Sequence, residues 1–166
     1  MKRVLAIALG LTAMAAPAQP VHDPAPRLRA IAMETSSWGR PVSNWTIDAH
    51  GTGRYTRSEP NAHSPQAIVT RGFAAGTAGF RRLRVLLGRA ESRAGADLPC
   101  GQRITDQEYG QVRWTRFNGR EAALGFDMGC RDPRTRRLLT DISRAEALVA
   151  GWAANEPIFE TRKVHP

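Results

Sequence analysis

Few side chains in this sequence combine the type and spacing that chemistry needs. Asp106, Glu108 and Asp127 are acids around one short stretch, and two carboxylates held a few ångströms apart would supply a general acid and its complementary base. Sequence spacing does not bring any two of them to that separation, so they are expected to cap turns or pair with arginines. His50 follows Asp48 closely, but no Gly-x-Ser-x-Gly elbow supplies a nucleophile, and His50 is expected in a turn. Gly72-Phe-Ala-Ala-Gly-Thr-Ala-Gly79 lies where a phosphate-cradling loop would precede a helix. Its spacing is neither that of a dinucleotide fingerprint nor that of a P-loop, which also requires a following lysine. Free amides there, with Arg81 and Arg82 close by, would at most hold an anion.

Metal chemistry is also disfavoured. His22, His50, His63 and His165 are scattered, and the two cysteines lack the close spacing of zinc ligands. No metal and no cofactor is expected. An isolated pair, Cys100 and Cys130, instead reads as one disulfide formed in an oxidising compartment. Closing a loop of this length stabilises a fold by about 3–4 kcal/mol in the chain-entropy model.

The compartment is suggested by the N-terminus. Met1-Lys-Arg3, an apolar run from Val4 to Ala16 and the small-residue pattern Ala16-Pro-Ala18 have the form of a secretory signal peptide, with cleavage expected after Ala18. The apolar run is too short to span a bilayer as a helix. Residues 19–27 hold three prolines and are expected to form a flexible leader. The protein is therefore expected to be exported, to a bacterial periplasm or the exterior, with no transmembrane segment after cleavage.

The chain has 166 residues and a net charge of +9; losing residues 1–18 removes Lys2, Arg3 and no acid, leaving +7. Lys163 is then the only lysine. Arginine rich in company with alanine and glycine is what a GC-rich genome produces, but arginine also binds phosphates and anionic glycans through two parallel hydrogen bonds. Nucleic acid is not an expected partner of an exported protein.

The elements that must position these groups read as follows. Leu28–Glu34 is a weak strand. Ser43–His50 alternates, with Trp45, Ile47 and Ala49 on one face, and Arg54–Ser58 returns after a glycine turn. Glu59–Pro65 reads as a polar loop and Gln66–Phe73 as a further strand. Thr77 is the expected cap of a helix whose apolar stripe is Phe80, Leu83, Leu87 and Ala90. Arg81, Arg82, Arg84, Arg89 and Arg93 make its basic outer side.

Inside the cysteine pair, Asn118-Gly119 marks a hairpin. A two-residue loop would divide the apolar residues between the faces. A three-residue loop, Phe117–Gly119, pairs Val112 with Leu124, Gly110 with Phe126 and Trp114 with Ala122, and is the expected register. Asp132-Pro133 starts a short helix to about Thr140. Ser143-Arg-Ala-Glu146 reads as a capping box that opens a second segment ending before Pro157. Residues 157–166 read as a tail.

The expected architecture is a single α+β domain over residues 28–156, with a mostly antiparallel sheet of five or six strands, two main helices on one face and one disulfide. The expected function is a binding module that contacts a protein or an anionic envelope component. Its candidate surfaces are the basic helix face (Arg81, Arg82, Arg89, Arg93), the hairpin tip (Arg116, Phe117, Arg120) and Trp38, which sits beside Gly39 and Pro41 outside any periodic pattern. The alternatives are a small enzyme with a deep pocket in which two or more of Asp106, Glu108, Asp127 and His50 converge, and a structural envelope protein.

Overall fold

Alternation of apolar and polar residues dominates the first half of the chain, and the structure turns it into one antiparallel sheet. This is a computed structural model that describes residues 27–61 and 64–163. The expected signal peptide and all of the leader but Arg27 lie outside the described residues. The elements are β1 (Leu28–Ser37), β2 (Arg40–Asp48), β3 (Thr52–Asn61), β4 (Ser64–Ala74), α1 (Gly76–Glu91), β5 (Tyr109–Arg116), β6 (Glu121–Asp127), α2 (Pro133–Ala153) and β7 (Ile158–Lys163). The strands form a seven-stranded sheet in the order β6-β5-β1-β2-β3-β4-β7. The α+β class stands as expected. The additional strand is β7, in the stretch that reads as a tail: without apolar alternation it gives no signal, and it is held by pairing with β4.

One sheet face carries the core. Met33, Trp45, Tyr55 and Arg71 lie side by side across β1 to β4, and Ile31, Ile47, Gly53 and Phe73 form the next row. With Val112, Trp114, Leu124 and Phe126 from the β5–β6 hairpin, they meet Phe80, Leu83, Leu87 and Ala90 of α1 and Leu138, Ile142, Ala145 and Val149 of α2 in one buried cluster. The opposite face is short and polar: Ala32, Thr46, Arg54 and Gly72 make one of its rows. Alternation at period two puts each residue on its face, and the helices cover only the apolar one.

The hairpin between the cysteines has the odd-length loop. Val112 pairs with Leu124, Gly110 with Phe126 and Trp114 with Ala122, while the Arg116 amide donates to the Arg120 carbonyl at 2.9 Å. Gly119 has φ +79°, the left-handed value its place in the loop requires. Cys100 and Cys130 form the disulfide, with Cα atoms 5.5 Å apart.

Three local expectations change. The β3–β4 connection is tighter than a polar loop: Asn61 pairs with Ser64, and the register shift falls at Pro60, which has no amide to give the ladder. Helix α1 starts at Gly76 with Ala75 as N-cap and no side-chain cap, so Thr77 is inside the helix. Gly51, at φ +85°, faces this start so closely that a Cβ on it would collide with the Gly76 backbone. Asp132 and Pro133 open α2 as expected, the Asp132 carboxylate accepting from the Arg134 amide at 2.9 Å, but the helix then runs unbroken to Ala153. Thr140 turns its hydroxyl back to the Arg136 carbonyl at 3.0 Å instead of ending it. Among the described residues no helix is long and apolar enough to cross a membrane.

Candidate functional site

Two side-chain hydrogen bonds, each spanning more than ninety residues, join α2 to the sheet. Trp45 and Tyr55 are neighbours across β2 and β3 and both face the helices. The Trp45 indole donates to Glu146 Oε2 at 2.6 Å and the Tyr55 hydroxyl to Glu146 Oε1 at 3.0 Å. One residue pair further along β3, Arg57 Nε lies 2.8 Å from Glu59 Oε1, and Arg71 grips both Glu59 oxygens at 2.8 and 3.3 Å. A cleft of about 170 Å3 opens between Tyr55, Arg57, Glu59 and Arg71 and the end of α2, where Ala150, Ala153 and the C-cap Ala154 leave room.

The electrostatics of this cluster are those of a clasp. Burial first, and the Glu146 carboxylate second, push the Tyr55 phenol well above its ordinary value, so it stays protonated at neutral pH and is poorly suited to act as a base. The hydrogen bond from Arg71 holds the Glu59 carboxyl below its ordinary range. Each carboxylate has two donors and each donor has a carboxylate. Little in the residue pattern points to this, because Glu146 has the spacing of a capping box with Ser143. The signal available was Trp45 and Tyr55 on apolar strand faces, since most buried indole N–H and phenol groups find an acceptor; the equally buried Trp114 indole N–H has none.

The loop that carries Asp106 and Glu108 runs beside the end of β6, the Met128 amide donating to the Glu108 carbonyl at 2.8 Å, but no hydrogen bond joins the side chains of Asp106, Glu108 and Asp127 to one another. Asp127 is paired with Arg103 at 3.0 Å and accepts from the Gly129 amide at 2.8 Å. Asp106 and Glu108 are exposed on the neighbouring loop. That loop leads into Tyr109, which pairs with Ser36 at one end of β1, whereas His50 follows Asp48, which pairs with Ala30 at the other end. Six residues of strand, roughly 20 Å, separate them. Among the described residues there is no group of three or more His, Cys, Asp or Glu side chains that could hold a metal.

The binding candidates divide among separate surfaces. Arg116 is an anchor of the fold, half-buried against Glu91 at 3.1 Å, while Phe117 and Arg120 stand exposed at the hairpin tip. Trp38 is at the opposite end of β1 from that tip, so the two aromatics mark separate ends of the sheet. It occupies the two-residue turn between Ser37 and Arg40, 75% exposed, with φ +53° at Trp38 and +71° at Gly39. Positive φ at both positions suits a type I′ turn, but for a bulky residue it costs about 1–2 kcal/mol. The Tyr109 hydroxyl accepts from the Gly39 amide at 3.1 Å and holds this conformation. Trp38→Asn is therefore expected to stabilise the protein by roughly 1 kcal/mol in a denaturant titration, since Asn tolerates the left-handed region. An unchanged or lowered midpoint would show that the indole is held by contacts that offset the strain.

The basic helix face is more than one stripe. Helices α1 and α2 pack antiparallel, and a groove of about 570 Å3 runs between their outer sides, lined by Arg82, Val85, Leu86, Arg144, Ala147 and Leu148. One end is closed by Arg89 Nε and Asp141 Oδ2 at 2.9 Å. Val85 is 82% exposed, the most exposed large apolar residue in the described chain. Arg81, Arg82, Arg93 and Arg144 have no carboxylate in ion-pair reach among the described residues.

Compared with known proteins, the chain matches no protein-family model, no curated sequence and no solved structure.

Proposed function

We propose that this protein is an exported, disulfide-bonded interaction module that binds an acidic amphipathic protein segment in the groove between α1 and α2. The observation that carries this reading is Val85, almost fully exposed between Arg82 and Arg144, with Leu86 and Leu148 beneath it. An exposed apolar ridge costs solubility unless it is covered, and unpaired guanidinium groups on either side favour a partner with acids flanking its apolar residues. The clasp around Glu146 supports a binding role for α2, because it fixes the helix on the sheet and so preorganises the groove.

The test is calorimetric titration of the oxidised protein with a synthetic amphipathic helix that carries leucines on one face and glutamates at their flanks. Binding at low salt, weaker at moderate salt, is expected, with at least a tenfold loss in the Arg82→Glu/Arg144→Glu variant and a similar loss in Val85→Asp. A lysine-flanked version of the helix should not bind. Binding that ignores these substitutions, or no binding at all, would overturn the proposal. Anionic vesicles in place of the peptide form the parallel arm: retention on vesicles alone would assign the face to a membrane surface instead.

A further inference from the structure

The two edges of the sheet are treated differently. Beyond β6, the Gly95 amide donates to the Ala123 carbonyl at 2.7 Å and Arg103 bridges to Cys130, so the chain itself covers that edge. Beyond β7 no described strand pairs, and β7 ends the sheet. It also displays Ile158 and Phe159, 51% and 65% exposed. An open edge of this kind is a template for another strand.

We infer that β7 pairs with β7 of a second copy of this chain, antiparallel, with Thr161 on the two-fold axis. Charge decides both the partner and the register. An antiparallel pair related by a two-fold axis places one residue opposite itself. With Thr161 there, Glu160 faces Arg162 of the second copy and Arg162 faces Glu160 of the second copy, two opposite-charge pairs. Moving the axis to Glu160 sets two carboxylates face to face, and moving it to Arg162 does the same with two guanidinium groups. Like charges directly opposite each other are unfavourable across strands. Moving it to Phe159 brings Pro157, with no amide, into the ladder, sets Glu160 across from Ile158, and leaves Arg162 across from Glu156, which lies outside β7. Of these registers, only the one centred on Thr161 pairs opposite charges within β7 itself.

Glu160 and Arg162 already share a face within one strand, Arg162 Nε lying 3.9 Å from Glu160 Oε1, and Glu160 pairs with Thr70 on the helix-free side of the sheet. Pairing would thus alternate four charges on that side. Because the axis relating adjacent antiparallel strands is perpendicular to the sheet, both helical layers would lie on the same face of a continuous sheet of fourteen strands. This inference stands independently of what the α1–α2 groove binds.

The test measures mass in solution by light scattering and sedimentation as the concentration of oxidised protein is raised. A monomer–dimer equilibrium is expected. Glu160→Arg and Arg162→Glu each convert two attractions into two repulsions, and each is expected to weaken dimerisation roughly tenfold or more. The double exchange, Glu160→Arg with Arg162→Glu, restores opposite charges at both positions and is expected to restore the dimer, which general damage to β7 would not do. Thr161→Cys is expected to form an intermolecular disulfide on oxidation, mapped by mass spectrometry. A monomer at every concentration, together with no cross-link through Thr161→Cys, overturns the inference; so does a dimer that the single reversals leave unchanged.

Discussion

Glu146→Ala is expected to lower the stability of the protein by about 3–5 kcal/mol, because it leaves two donors without an acceptor in the interior. Trp45 is fully buried and Tyr55 nearly so, and their N–H and O–H groups end on the two oxygens of this one carboxylate. Water cannot replace Glu146 easily at Trp45, which is walled in by the core. Glu146→Gln keeps one acceptor oxygen and turns an amide toward the other donor, so a smaller loss of about 1–2 kcal/mol is expected, and Tyr55→Phe should cost about 1 kcal/mol. Urea titrations of the three variants check this order. Ser143→Ala provides the control. If Glu146 served the capping box its spacing suggests, Ser143→Ala and Glu146→Ala would have similar small effects of about 1 kcal/mol. The unbroken course of α2 through both residues makes the serine nearly neutral and the glutamate critical.

The same clasp sets a pH dependence. The folded-state pKa of Tyr55 lies above its unfolded value, chiefly through burial and then through Glu146. The folded protein therefore retains a proton that the unfolded chain releases above about pH 10. The contribution is present in full below that pH and is lost as pH rises further through the folded-state value. Alkaline unfolding should become less steep in Tyr55→Phe, measured as the stability difference between pH 8 and the highest pH at which the protein folds.

The second large effect is at the disulfide. Replacing Cys100 and Cys130 by alanine is expected to cost about 3–4 kcal/mol, on the order of 10 °C in melting temperature for a chain of this size. The bond joins the loop after α1 to the start of α2, with a sequence separation of 30, and the whole β5–β6 hairpin lies within the loop it closes. Thr135 supports the same junction by donating to the Pro99 carbonyl at 2.6 Å. Reductant should therefore shift the unfolding midpoint of the native protein and leave that of the Cys→Ala pair unmoved. Free thiols in the native protein, or equal midpoints with and without reductant, would contradict the assignment.

Local patterning determined a good deal of this. The class of fold, the stripe of α1, the cap and proline that begin α2, and the register of the β5–β6 hairpin follow from the sequence alone. The hairpin is the clearest case, because a slip of one residue would have moved half of Val112, Trp114, Leu124 and Phe126 to the wrong face. The cysteine pair was legible for a similar reason, having no competing partner.

Tertiary structure decided the rest. Residues 158–163 carry no alternation, and they are a strand only because β4 offers them an edge. Trp38 gave no hint of a left-handed backbone until Ser37 and Arg40 were seen to pair. Glu146 had a plausible local partner three residues away, yet its carboxylate serves an indole and a phenol about a hundred residues earlier in the chain. Sequence periodicity reports which face a residue takes, since that depends on near neighbours. Which distant donor meets which acceptor depends on how α2 crosses the sheet, and that is settled by packing the whole core at once.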